Sequence, residues 1–218
     1  MTFTIHSAKP FLQAAAIAIG QMLATSQAQA ATETAIVAGG CFWCVESNFE
    51  SVAGVKTVVS GFTGGTVKDP TYDDVTHSDT GHYEAVEITF DNARVSYGEI
   101  VRLFLRSTDV LDAGGQFCDR GNSYRSAIFA TQAQKATAEA ELATAAADLG
   151  KSIVTPVLAA QPFYPAEAYH QDYYKQSDII LTRRGPKSKA NAYTFYRNAC
   201  GRDARIEALW GAAATFVH

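Results

Sequence analysis

Thr34-Ala35-Ile36-Val37-Ala38-Gly39-Gly40-Cys41-Phe42-Trp43-Cys44-Val45-Glu46 reads as a strand, a tight turn and the start of a helix. Thr34 to Ala38 is a short apolar run of the kind a buried strand makes, and the paired glycines end it. The stretch from Cys41 to Ser51 places apolar side chains at Phe42, Val45 and Phe49, with Val52 just beyond, which is helical spacing. Working outward, Val55 to Phe62 is β-branched and ends before Gly64-Gly65. Tyr83 to Phe90 alternates as a half-buried strand. Ser96 is a helix cap, with Glu99 three residues on, ahead of Ile100, Val101, Phe104 and Leu105. Ser126 to Thr131 reads as a strand, and Thr131 to Leu149 is the strongest helix by propensity. Pro156 to Phe163 reads as an edge strand or extended segment. Ala166 to Gln176 reads as a short aromatic helix, Arg183 to Lys189 as a basic loop, and Tyr193 to Trp210 as helical on either side of Gly201. Strands and helices intermix without a clean strand–helix–strand repeat, so the class is α+β, one mixed or antiparallel sheet with helices against it.

The 218 residues suit one domain, or one domain with appendages. With 18 basic and 22 acidic side chains and no basic run, the chain lacks the electrostatic footprint of a nucleic-acid binder. Residues 1–30 differ from the rest. Lys9 precedes an apolar, alanine-rich stretch from Phe11 to Ala24, and Ala28-Gln29-Ala30 follows. That layout is a secretory signal, so export is expected, to the periplasm in a bacterium, with a mature chain from Ala31 to His218. The body holds no stretch long enough to span a membrane.

Four cysteines remain beyond that segment: Cys41, Cys44, Cys118 and Cys200. An even count in an exported protein suggests structural disulfides, but one Cys-x-x-Cys pair with two distant partners fits redox chemistry better. Zinc would want a second pair at ribbon or finger spacing, so no metal is expected. Cys41 follows a Gly-Gly turn and opens a helix, where free N–H groups favour the nucleophilic thiolate. Phe42 and Trp43 cannot both face inward on one stripe, so at least one is expected beside the sulfur as an apolar wall.

These residues carry a resemblance. Gly40-Cys41-Phe42-Trp43 with Val45-Glu46 is similar to the signature of the A-type peptide methionine sulfoxide reductases. Further segments match that family in order: Gly61-Phe62-Thr63-Gly64-Gly65, Pro70-Thr71-Tyr72, Gly81-His82-Tyr83-Glu84, Asp119-Arg120-Gly121 with Tyr124-Arg125-Ser126, and Phe163-Tyr164-Pro165 with His170-Gln171-Asp172-Tyr173. The resemblance implies a two-layer α/β sandwich around a mixed sheet, with a ferredoxin-like core. It also implies reduction of the S epimer of methionine sulfoxide, free or in proteins. Cys41 resembles the attacking cysteine, and Phe42 and Trp43 the pocket for the substrate's methyl group. Glu84 resembles the acid that protonates the sulfoxide oxygen, Tyr72 and Tyr124 the hydroxyls that hold it, and Asp119 a contact to the substrate backbone. No cofactor is implied beyond an external thioredoxin-like reductant, and the chain is expected to work as a monomer.

The physical logic agrees. A sulfoxide sulfur is a poor electrophile until its oxygen is protonated, and an apolar pocket raises a carboxyl's pKa enough to make it a donor. A second thiol must then resolve the sulfenic acid. Here the sequence departs from the commoner family pattern, which has glycine at position 44. Cys44 and Cys200 are the resolving candidates, Cys44 slightly favoured, ahead of Cys118. His82 and His170 read as structural. A thioredoxin-like disulfide oxidoreductase using Cys41 and Cys44, and a metal-binding or structural exported domain, are the competing readings.

Overall fold

The computed structural model describes residues 1–2 and 31–217 of the chain. The expected secretory segment lies outside them apart from its first two residues. The elements run β1 (Thr32–Gly39), α1 (Phe42–Glu50), β2 (Val55–Thr63), α2 (Tyr72–His77), β3 (Tyr83–Asp91) and α3 (Tyr97–Leu105). Next come β4 (Gly115–Gln116), β5 (Asp119–Arg120), β6 (Ser126–Ala130), α4 (Lys135–Leu149), β7 (Val157–Ala159) and β8 (Tyr164–Pro165). The chain ends in β9 (Ile179–Thr182), β10 (Gly185–Ser188), α5 (Lys189–Ala199) and α6 (Arg202–Trp210). No helix among the described residues is long and apolar enough to cross a membrane.

The main sheet has the order β7-β6-β1-β3-β2-β8. Its four central strands, β6-β1-β3-β2, are antiparallel neighbours joined through α1 and α3. That is the ferredoxin-like arrangement, and β7, parallel to β6, makes the sheet mixed. Alternation along the strands decides which face holds what. Ala35, Val37, Val86, Ile88, Phe90 and Ile128 face α1 and α3 in the main core. Ala38, Tyr83, Ala85, Ala127 and Phe129 form a smaller cluster of their own, and by strand alternation they point to the opposite face.

β3 is thus not the half-buried strand its alternation suggests. Tyr83 to Val86 are buried without interruption, because Tyr83 and Ala85 pack into the second cluster. Other readings hold. Ser96 caps α3 by accepting from Glu99 N at 3.1 Å, and Gly201 breaks α5 from α6 with φ 65. The segment Ala166 to Gln176 is two 3-10 turns, Ala168–His170 and Tyr173–Lys175, rather than one helix. They are separated by Asp172, whose φ of 52 and whose N–H donated to Glu46 Oε1 at 2.8 Å are incompatible with a continuous helix. The basic loop at Arg183 to Lys189 is in fact the turn and second strand of the β9–β10 hairpin, ending in the first residue of α5. α4 starts at Lys135, after Thr131 and Gln134 exchange side-chain-to-backbone hydrogen bonds ahead of it.

β8 pairs with β2 through Gly61↔Pro165 and Phe62↔Tyr164, so the chain must pass close over Gly61. A Cβ there would meet the Tyr164 carbonyl and lie 2.5 Å from Phe163 Cζ. Overpacking of this kind costs about 1–3 kcal/mol. Gly61→Ala is therefore predicted to lower the denaturant midpoint by an amount of that order, and an unchanged midpoint would show that β8 does not sit against β2.

Candidate active site

Extending the β1–β3 register beyond Val37↔Val86 sets Gly39 level with Glu84. The turn that follows β1 thereby delivers Cys41 to the end of β3. Gly40 takes φ 78, and a Cβ on it would lie 2.5 Å from Gln116 Cβ, so only glycine makes this turn. Cys41 is the N-cap of α1. Phe42 N, the first amide of the helix, donates to Glu84 Oε2 at 3.1 Å. Glu84 is 2% exposed and on the helix face of β3 with Val86 and Ile88. Burial pushes its carboxyl up to about 8, against the pull of the Phe42 amide. At neutral pH it therefore holds a proton.

Two phenols complete this corner. Thr71 and Asp74 form a reciprocal capping box that starts α2 at Tyr72, and Tyr72 N donates to Glu167 Oε1 at 3.1 Å. Tyr124 ends the short 3-10 turn before β6. The Tyr72 and Tyr124 side chains lie close enough to each other and to the Glu84 carboxyl to act on one another's protons. Burial raises both phenols well above their ordinary range, so both stay protonated. The two hydroxyls and the Glu84 carboxyl thus form one cluster of proton donors.

Cys41 and Cys44 share the first turn of α1, where Cys44 N donates to Cys41 O at 3.1 Å. The neighbouring Cys44 and burial push the Cys41 thiol up, while the neighbouring Cys41 with Arg202 and Arg197 pulls Cys44 down to about 6. The helix N-terminus expected to favour a thiolate is at Cys41, and burial works against charge there.

A cavity of about 130 Å³ opens beside the pair, lined by Cys41, Trp43, Cys44, Asp119 and the two remaining cysteines. Cys118 and Cys200 are bonded to each other, with Cα atoms 5.1 Å apart. Cys200 sits at the C-cap of α5, and the free thiols are Cys41 and Cys44. Trp43 is the aromatic wall, stacked on Tyr173 at 3.7 Å and 9°. Phe42, at 1% exposure, is a buried floor contacting Phe62, Tyr72 and His170 rather than part of that cavity's wall. Asp119 reaches the cavity from β5, its carboxyl raised by burial. His82 bonds Gly65 N and Val67 O, and His170 packs among rings with its pKa driven down to about 4 by burial, so both are structural.

Sequence reasoning assigned no role to Tyr173, Tyr193, Arg197 or Arg202. All four come from the last 46 residues and approach the site through tertiary folding alone. Glu46, buried and raised to about 7 by burial, holds this segment by accepting from Ser60 Oγ at 2.9 Å and Asp172 N at 2.8 Å.

Comparisons with known proteins show the family to which the chain is similar. The family described as peptide methionine sulfoxide reductase matches residues 33–200. The chain is similar to a peptide methionine sulfoxide reductase of Caulobacter vibrioides, 48% identical over 201 residues, covering 92% of this chain and 96% of that one. It is also similar to one of Listeria welshimeri, 46% identical over 82% of this chain and 96% of that one. Among solved structures it resembles the methionine sulfoxide reductase A of Corynebacterium diphtheriae (TM-score 0.58, 32% identity, 65% of this chain and 73% of that one). Reduced Mxr1 of Saccharomyces cerevisiae superposes with TM-score 0.62 at 26% identity, over 65% of this chain and 83% of that one.

The raised Glu84 pKa makes a stability prediction. The folded chain keeps a proton that the unfolded chain releases near 4.5, so this contribution to stability is present below that pH and lost as pH rises through about 8. Glu84→Gln removes the dependence. Its Tm relative to wild type should climb between pH 5 and pH 9 in paired melts, in which the Glu46 contribution cancels. A difference that stays flat would mean Glu84 titrates as an ordinary carboxyl.

Proposed function

The chain belongs to the peptide methionine sulfoxide reductase family and reduces methionine sulfoxide to methionine, and on that premise we propose that Cys41 attacks the sulfoxide sulfur while Glu84 supplies the proton to its oxygen. The observation that carries this is the buried, protonated Glu84 carboxyl held at the first amide of the helix that Cys41 caps. The Cys41 proton passes to the neighbouring Cys44 sulfur as Cys41 Sγ bonds to the substrate sulfur. Glu84, with Tyr72 and Tyr124 beside it, protonates the oxygen. The oxygen then moves to Cys41 Sγ as its bond to the substrate sulfur and the new sulfur–sulfur bond both break, leaving Cys41 as a sulfenic acid and the thioether as methionine, and Glu84 regains its proton from solvent. The Cys44 thiol then attacks Cys41 Sγ, and its proton departs with the hydroxyl as water. The sum is one sulfoxide and two thiols giving one thioether, one disulfide and one water.

Cys44 is the resolving residue in this reading. It is the free thiol on the same helical turn as Cys41, whereas Cys118 and Cys200 are bonded to each other. Trp43 takes the substrate's methyl group, and Asp119 contacts its backbone. Fixing methyl, oxygen and sulfur on three different protein groups selects one hand at sulfur, the S epimer, as the A-type names of the relatives suggest. An external dithiol of thioredoxin type resets the disulfide. A general disulfide oxidoreductase is the poorer reading, because Cys44 is only 6% exposed and the pair sits against a protonated acid that disulfide exchange does not need. Export to the periplasm rests on the Lys9 head, the apolar Phe11 to Ala24 stretch and Ala28-Gln29-Ala30.

With dithiothreitol as reductant, the S epimer is predicted to turn over and the R epimer not, and Cys41→Ser to be inactive. Glu84→Gln should slow the single-turnover step by about 10²–10⁴-fold. Equal use of both epimers, or a Glu84→Gln rate equal to wild type, would contradict the assignment. Disulfide mapping after one equivalent of substrate should find Cys41–Cys44, and Cys44→Ser should complete one turnover and stall. A Cys41–Cys118 or Cys41–Cys200 bond would reassign the resolver. N-terminal sequencing of the native protein should begin at Ala31; finding Met1 or Thr2 would refute export.

A further inference from the structure

Arg202 opens α6 at 3% exposure, just past the stretch that matches the family. Its Nη2 donates to Gly39 O at 3.1 Å and its Nη1 to Ser107 O at 3.5 Å. The guanidinium lies 4.2 Å from the Phe117 ring centroid and lines the cavity shared by Cys41, Cys44 and Asp119. A residue from the far end of the chain thus grips the carbonyl two positions before the nucleophile.

We propose that Arg202 is a positioning residue of the active site, whose fixed positive charge faces the Cys41–Cys44 pair and whose hydrogen bond holds the Gly39–Gly40 turn that carries Cys41. This deepens the reading above and rests on it.

A comparison between the two buried arginines supports the choice. Arg197 spends its charge locally: its Nη2 bonds Asp203 Oδ1 at 2.7 Å, and it also serves Asn48 Oδ1, Tyr193 and the Phe216 carbonyl. Arg202 makes no ion pair within 4.0 Å among the described residues; its acceptors are neutral carbonyls. A cation held by neutral groups in a water-poor site keeps its field for the ionisable groups nearby. Those facing the pair are the carboxyls Glu84 and Asp119, the cations Arg197 and Arg202, and the phenols Tyr72, Tyr173 and Tyr193. Arg202 acts in the same sense on two of the negative groups, pulling down both Cys44 and Asp119. The Cys118–Cys200 bond ties the cavity rim to the residue two before Arg202, which fixes the end of α5 from which α6 starts.

The test is the pH profile of thiol alkylation by iodoacetamide, followed with thiolate absorbance, on the full chain with the Cys118–Cys200 bond verified by mass. Arg202→Gln keeps an amide donor for Gly39 O but removes the charge; Arg202→Lys keeps the charge. The Gln variant is expected to move the alkylation midpoint upward, with roughly tenfold slower reaction at neutral pH, and the Lys variant to recover most of the wild-type profile. A wild-type midpoint in the Gln variant overturns the proposal. So does an equal shift in both variants, which would assign Arg202 to packing alone. Should the Gln variant not fold, the Lys variant still decides, because charge positioning requires its midpoint to stay near wild type. Alkylation is read without substrate, so a failure here is separable from a failure of Cys41 as nucleophile, which would show as turnover in Cys41→Ser.

Discussion

One hydrogen bond organises the molecule: the Phe42 amide to the Glu84 carboxyl, made at the junction of the first helix and the central strand. A carboxyl buried this deeply cannot remain charged without a compensating cation, and none is bonded to it among the described residues, so it keeps its proton. Placing it there requires β1 to end level with Glu84, the chain to turn on Gly39-Gly40, and α1 to begin with an amide aimed back at the strand. The same turn leaves Cys41 at the helix cap. Acid and nucleophile are thus brought together by a single register rather than by two separate structural solutions. Since the sheet core behind Glu84 is Val86, Ile88 and Phe90, ordinary hydrophobic packing holds the register in place.

The second half of the chain supplies the walls. Glu46 and Gln171 bind Ser60 and Asp172 and so pin the 3-10 segment across α1. That brings Tyr173 onto Trp43. The two helices that follow add Tyr193, Arg197 and Arg202 to the same cavity. The Cys118–Cys200 bond closes the loop between the β5 corner and this C-terminal segment. Asp119 pushes both thiols of the pair up, while Arg202 and Arg197 pull Cys44 down. The two arginines thus set positive charge beside the thiol next to the nucleophile.

Much of this was legible in the sequence because it is local. The strand, glycine turn and helix around Cys41 follow from periodicity and from what glycine alone can do, and Ser96 announces its helix by its own side-chain chemistry. The uninterrupted burial of β3 from Tyr83 to Val86 was not legible from alternation. The pattern at Tyr83 to Phe90 says which residues share a face, but not that both faces are covered, which depends on Phe129 packing against Tyr83 from another strand. The Asp172 kink was hidden for the same reason: its cause is Glu46, 126 residues away. The pairing of Cys118 with Cys200, the stacking of Tyr173 and the reach of Arg202 depend on where the last two helices dock, and no spacing within them encodes that.

The chemistry turns on Glu84 carrying a proton at neutral pH beside the attacking cysteine. Infrared difference spectroscopy on the reduced protein measures this most directly, with the protonated carboxyl band assigned by its loss in Glu84→Gln. The band should persist through neutrality and disappear with a midpoint at about 8. A midpoint near 4.5, the ordinary value for glutamate, would contradict it.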